Sequence, residues 1–232
     1  MSPIAANLQA VRRRISEELH GDSRPVTIVA VSKAQPAHAV REAFGAGQRD
    51  FGENYVQEAL AKMDALADLE ATWHFIGNLQ GNKAREVASR FDWVQTIDRV
   101  RIADALSRHR PAGLAPLNAC VQVNISHEAT KGGVTLAELP ALALHVAALP
   151  GLRLRGLMGV ASPSDPSVAR AEFASLAAAF RELRSQGLEL DTLSMGMTQD
   201  YPAALEEGAN LLRIGTAIFG ARAPRPIEGQ AG

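Results

Sequence analysis

Eight short runs rich in apolar and β-branched residues alternate with helix-periodic stretches along nearly the whole chain, and this alternation restricts the architecture more than any single residue does. The runs are Val26 to Lys33, Gln48 to Asn54, Trp73 to Gly77, Trp93 to Ile97, Leu117 to Ile125, Leu152 to Val160, Leu190 to Ser194 and Leu211 to Gly215. Before the first, Ile4, Leu8, Val11, Ile15 and Leu19 recur at helical spacing until Pro25, which predicts an extra helix ahead of the repeating pattern. Between the runs, Asp98 is placed to cap a helix running through Arg108. Asp165-Pro166 is placed to open another helix, with Val168, Phe173, Leu176, Phe180 and Leu183 as its buried stripe and Gly187 as its stop. Strand–helix repeats of this kind pack as parallel βαβ units, and closing eight of them into a barrel leaves no sheet edge. The predicted fold is α/β, a single TIM (β/α)8 barrel. An open doubly wound sheet is the alternative, weakened because no G-x-G-x-x-G follows the first strand.

At 232 residues the chain has the length of one such domain. Its 47% apolar and 21% charged residues exclude a largely disordered chain, and a net charge of -1 disfavours nucleic acid or an acidic membrane as the partner. Cys120 is the only cysteine and lies in an apolar run, so it is expected to be a small buried hydrophobe in a protein of a reducing compartment, the cytoplasm. No stretch is apolar enough for a signal sequence or a membrane span, and the six histidines form no metal-ligand spacing, so no metal is expected. The segment after Ala221, with Pro224, Pro226 and Gly229 and no periodicity, is expected to be a disordered tail.

In a TIM barrel the reactive groups gather at the carboxyl ends of the strands. There the sequence offers Lys33, an ammonium at the end of an apolar run, where partial loss of hydration lowers its pKa and frees an amine for attack on an aldehyde. After the seventh run comes Ser194-Met195-Gly196-Met197-Thr198, and after the eighth comes Gly215-Thr216, opening a short helix. Many barrels hold a phosphate at these two positions, because glycine lets the backbone approach, hydroxyls donate and a helix N-terminus presents amides. An aldehyde-reactive lysine with a phosphate cup describes pyridoxal 5'-phosphate (PLP). Arg213, two residues before Gly215 on the same strand face, is placed to donate to the pyridine nitrogen; the alternative is a salt bridge at the barrel rim.

The segments AVSK (Ala30 to Lys33), FGENYVQE (Phe51 to Glu58), WHFIGNLQGNK (Trp73 to Lys83), GLMGV (Gly156 to Val160), SMGMTQD (Ser194 to Asp200) and RIGTAIFGAR (Arg213 to Arg222) together resemble the YggS/PROSC family of pyridoxal-phosphate homeostasis proteins. The resemblance implies an alanine-racemase N-terminal-domain-like barrel over residues 1–222, followed by a tail at 223–232. It implies Lys33 as the Schiff-base lysine, Arg213 near the ring nitrogen, Asn54 beside the ring, and phosphate contacts from Ser194, Gly196, Gly215 and Thr216. It also implies a carrier or regulator of vitamin B6 without an established catalytic reaction, with PLP-dependent apoenzymes as partners. The sequence departs from the family at Thr198, where serine is common, and at Asn78, where proline often stands. A PLP-dependent racemase lacking its second domain is the competing reading, and a Schiff-base aldolase a further one. Racemisation needs an acid/base group on each face of the substrate, and Lys33 serves one. Of the two tyrosines, Tyr55 is expected to pack at the start of a helix and Tyr201 follows the phosphate loop, so neither is placed for the second face. A monomer is expected.

Overall fold

The computed structural model describes residues 2–128, 130–162 and 165–220. Its strands are β1 (Thr27–Val31), β2 (Asp50–Glu53), β3 (Thr72–Phe75), β4 (Trp93–Ile97), β5 (Leu117–Val123), β6 (Leu152–Gly159), β7 (Thr192–Ser194) and β8 (Leu211–Ile214). They pair in parallel in chain order, and β8 returns to β1 to close the barrel. The helices are α1 (Pro3–Glu18), α2 (Ala37–Gly45), α3 (Val56–Ala65), α4 (Ala84–Arg90), α5 (Val100–His109), α6 (Leu139–Ala148), α7 (Pro166–Ser185), α8 (Tyr201–Glu206) and the one-turn α9 (Thr216–Phe219). This is the (β/α)8 barrel with an additional first helix that the alternation predicts. The expected tail at 223–232 lies outside the described residues.

Local chemistry explains most boundaries. Ser2 caps α1 by accepting from the Ala5 amide, with Pro3 at the first helical position, and Leu8, Val11 and Ile15 form the buried face. Helix α1 packs on α2, α8 and α9, and the Asn7 side-chain amide donates to the Ile218 carbonyl at 3.0 Å. It ends well before Pro25, because His20 and Gly21 turn the chain through positive φ of 47° and 90°. Asp165 caps α7 as predicted, by accepting from the Ser167 amide. Asp98 caps nothing: Arg99 stands at the start of α5 without a side-chain cap, and Asp98 instead accepts from the Arg99 guanidinium at 2.6 Å. Val168, predicted within the α7 stripe, is 43% exposed, and Ala169 and Ala177 are buried in that stripe.

Between barrel and helices the packing is aromatic and aliphatic. Phe75 meets Phe91 edge-on at 5.5 Å between centroids, and Phe51, Phe75, Phe91 and Phe173 are fully buried. Each such side chain contributes roughly 1.5–3 kcal/mol. Cys120 is fully buried as expected, and burial pushes its thiol up to about 12. Among the described residues no helix is long and apolar enough to cross a membrane, and no group of His, Cys, Asp and Glu is arranged to hold a metal ion.

Candidate functional site

Lys33 lies two residues beyond the last residue of β1, in a turn, and not at the strand end as the apolar run suggested. Beyond the last residue of β1 the Ser32 amide still donates to the Gly52 carbonyl of β2 at 3.0 Å, and its hydroxyl donates to Glu53 Oε1 at 2.6 Å. Lys62 of α3 donates to Glu53 Oε1 at 2.7 Å, to Glu58 Oε1 at 2.7 Å and to the Ser32 carbonyl at 2.6 Å. Glu58 in turn accepts from the Ala34 amide, and Ala34 holds a positive φ of 60° immediately after Lys33. A buried ion cluster therefore clamps the backbone on both sides of Lys33, which offsets a backbone conformation that alanine rarely adopts. Burial raises the Glu53 carboxyl above its ordinary pKa, against the pull of the Lys62 charge and its hydrogen bond.

The half-buried Lys33 side chain opens into a cavity of about 420 Å3 at the carboxyl end of the barrel. Asn54, Arg213, Gly215 and Thr216 line the same cavity, with Val31, Ile76 and Met158 as apolar wall and Met197 to Asp200 across the mouth. Five of the seven residues singled out from the sequence thus converge. Thr216 Oγ1 stands 3.5 Å from Thr198 Oγ1, which joins the loop after β7 to the turn after β8. At Gly215 a Cβ would meet the Val31 carbonyl at 3.4 Å, so the backbone is close-packed on that side.

Arg213 is almost fully buried and donates from Nη1 to Ser194 Oγ at 2.6 Å and from Nη2 to the Gly159 carbonyl at 2.8 Å. Neither partner is a carboxylate, so the alternative of a rim salt bridge does not describe it. Burial lowers its pKa to about 10, with Asp200 opposing, and the guanidinium stays cationic at neutral pH.

Ser194 and Gly196 stand elsewhere. Ser194 is fully buried, accepts from Arg213 and donates its one hydroxyl hydrogen to Gln95 Oε1 at 2.7 Å, so no side-chain donor is left to reach the cavity. Gly196 lies under the loop with φ +94°, where a Cβ would stand 2.7 Å from Ala204 Cβ. Its carbonyl accepts from the Arg213 amide at 3.0 Å. Met197, Gln199 and Asp200 complete the mouth and were not singled out from the sequence; their position directly after the phosphate-type loop was the available signal. Asn54 Oδ1 is buried without a hydrogen-bond partner. Gly77 lets the chain after β3 pass Asn54 closely, since a Cβ there would stand 2.0 Å from the Asn54 carbonyl oxygen. Tyr55, expected to pack, is 52% exposed, and Tyr201 is half-buried; neither lines the cavity.

The parallel eight-stranded barrel agrees with the family model that the chain matches over residues 1–223, that of the alanine racemase N-terminal domain. The chain belongs to that family and, within it, to the pyridoxal phosphate homeostasis proteins. It is 55% identical over 229 residues to the protein of that name from Pseudomonas aeruginosa, covering 96% of this chain and 97% of the relative. It is 51% identical over 229 residues to that of Escherichia coli K12, covering 96% and 98%. Among solved structures, PipY of Synechococcus elongatus PCC7942 with PLP bound is 38% identical with a TM-score of 0.82, over 94% of this chain and 100% of PipY. Alanine racemase from Corynebacterium glutamicum shares the fold, with a TM-score of 0.72 at 18% identity, and the match covers 97% of this chain and 63% of the racemase.

Proposed function

We propose that this chain binds pyridoxal 5'-phosphate in the cavity at the barrel mouth and serves cellular vitamin B6 homeostasis as a carrier or regulator, without turning over a substrate. The observation that carries the reading is the convergence of Lys33, Arg213 and Gly215-Thr216 on one cavity. The names of the curated relatives and the PLP-bound PipY structure point the same way.

The residues fit the group. The cavity is of ligand size and has apolar walls with a few convergent polar groups, Asn54 and Arg213 among them. Bound there, the cofactor supplies an aldehyde that reacts reversibly with an amine. Lys33 offers that amine from a turn that the Glu53–Lys62–Glu58 cluster holds in place. Arg213 presents a permanent donor to the ring nitrogen and keeps that nitrogen unprotonated, which weakens electron withdrawal into the ring and suits storage better than carbanion chemistry. Gly215, Thr216 and Thr198 receive the phosphate. Ser194 and Gly196 act beneath this surface: the first anchors Arg213 and the second shapes the loop.

Racemisation needs an acid/base group on each face of the substrate, and neither tyrosine is among the residues that line the cavity, which favours the carrier reading. Work as a monomer in the cytoplasm, with PLP-dependent apoenzymes as recipients, belongs to the same reading. The buried, unreactive Cys120 is compatible with a reducing compartment. The test is a visible absorption band on addition of PLP, lost on borohydride reduction with the label found on Lys33, followed by transfer to a cofactor-free aminotransferase in the presence of a trap for released cofactor. A protein that stays colourless with PLP, or one that racemises amino acids well above the rate of free cofactor, overturns the proposal.

A further inference from the structure

Ser194, beneath the cofactor cavity, is one link of a hydrogen-bonded chain that crosses the barrel interior. Arg213 Nη1 meets Ser194 Oγ at 2.6 Å, Ser194 Oγ meets Gln95 Oε1 at 2.7 Å, Gln95 Nε2 meets His74 Nδ1 at 3.0 Å, and His74 Nε2 meets Asp50 Oδ1 at 2.9 Å. Gln95 and His74 are fully buried, and His74 is also stacked on Trp93 at 5.2 Å. Asp50 and His74 border a separate crevice of about 300 Å3 at the amino-terminal end of the barrel.

The links have a consistent polarity. Arginine has only donors, so Ser194 accepts from it, and the Gln95 amide turns its Oε1 to receive the single serine hydrogen. The amide then presents its NH2 to His74, whose Nδ1 must be a bare acceptor, and the remaining ring hydrogen sits on Nε2 facing Asp50. Any other tautomer sets two donors against each other in a dry interior, at the cost of an unsatisfied buried group.

We propose that Asp50, His74 and Gln95 are positioning residues for the cofactor-facing arginine, and that the neutral Nε2–H form of His74 holds Arg213 in its orientation through Gln95 and Ser194. Protonation of Nδ1 forces the Gln95 amide to turn, which deprives Ser194 of its acceptor and loosens Arg213 below the cofactor. The charged groups around His74 are Asp50, which meets Nε2, and Arg155, whose guanidinium lies 4.8 Å from the centre of the Trp93 ring that stacks on the imidazole. Asp191 pairs with Arg155 at 2.7 Å.

The role toward the cofactor rests on the proposed PLP site, whereas the tautomer can be read without cofactor. Nitrogen NMR of histidine-labelled, cofactor-free full-length protein near neutral pH is expected to show His74 as the Nε2–H tautomer; an Nδ1–H tautomer or an imidazolium overturns the proposal. In the PLP-loaded protein, Gln95→Leu is expected to weaken binding about tenfold and to shift the cofactor absorption band. Gln95→Glu is expected to restore both, because one carboxylate oxygen accepts from Ser194 and the other from a now-charged His74, visible as an imidazolium in the same NMR experiment. Acid titration of the unsubstituted protein should move the cofactor band and the His74 resonance with one midpoint. A folded Gln95→Leu protein with unchanged affinity and unchanged pH profile overturns the proposal. Should that variant fail to fold, Gln95→Glu decides, and a normal band above a neutral His74 counts against it. Failure of the unsubstituted protein to bind PLP removes the cofactor reading and with it the chain's role toward the cofactor.

Discussion

A lysine is a useful amine only where the backbone around it stays in place, and here residues away from the cavity wall hold that backbone. Among the described residues Lys62 is the cation paired with the buried Glu53, so Lys62→Met leaves that carboxyl with only Ser32 to donate to it. The expected loss is about 3–5 kcal/mol of stability, read by denaturant unfolding, together with weaker PLP binding as the Lys33 turn loosens. Glu53 itself titrates higher in the folded chain than in the unfolded one. The folded state therefore binds the extra proton, and the stability from this group is fully present below the unfolded pKa and is lost as pH rises through the folded value. Unfolding midpoints measured from acid to neutral pH should fall for the native protein relative to Glu53→Gln over that window; parallel curves would contradict the assignment. In the cavity, Lys33→Ala should abolish the visible band and leave a folded barrel, since Lys33 is only half-buried. Thr216→Val should weaken PLP binding by about 1–3 kcal/mol through an unmet phosphate oxygen, and an unchanged dissociation constant would remove Thr216 from the phosphate contacts.

Among the elements, β4 has the bounds that the apolar pattern predicts, because the strand ends where its run ends. β1, β2 and β7 are shorter than their runs; Ser32, just past β1, is still buried and bonded to Gly52 and Glu53 of β2, so the run outlasts the strand. The meeting of Lys33 with the Gly215-Thr216 turn in one cavity was legible from their chemistry and the fold rule. The division of labour between Thr216 at the surface and Ser194 below it was not, because a side chain's direction at a strand end depends on which neighbour claims it. The signal for the inner chain was present in Trp73-His74-Phe75 and Val94-Gln95-Thr96, where a polar residue interrupts a strand that should be apolar throughout. Gly196 distinguishes loop shaping from direct contact. Ala at φ +94° is strained, and its methyl group lies 2.7 Å from Ala204 Cβ and 3.0 Å from Leu212 Cδ2. Gly196→Ala should therefore cost about 1–3 kcal/mol of stability and displace the Thr198 loop; a variant that loses affinity with no loss of stability would make Gly196 a direct phosphate contact.

For the whole molecule, the site straddles the barrel's closure seam. β1 and β8 come from opposite ends of the described chain and pair in the register Thr27 with Leu211 and Ala30 with Ile214. Lys33 follows β1, and Arg213, Gly215 and Thr216 lie within or just after β8, so a ligand gripped by both links the first strand to the last. Such a link acts on the native state alone, because unfolding parts the two segments and releases the grip, so the ligand stabilises the chain by mass action. Ligand at about one hundred times its dissociation constant adds about 2.7 kcal/mol to any opening that releases it. Openings that separate β1 from β8 release it, whereas local fraying around β4 and β5, on the opposite side of the closed order, does not. Amide hydrogen exchange with and without PLP should therefore show the largest slowing in Thr27–Val31 and Leu211–Ile214 and the smallest in Trp93–Ile97 and Leu117–Val123. Lys33→Ala, which keeps the phosphate contacts but loses the covalent hold on β1, should reduce the slowing in both seam strands together. Slowing spread evenly over all eight strands, or confined to β8, would mean that the ligand does not bridge the seam.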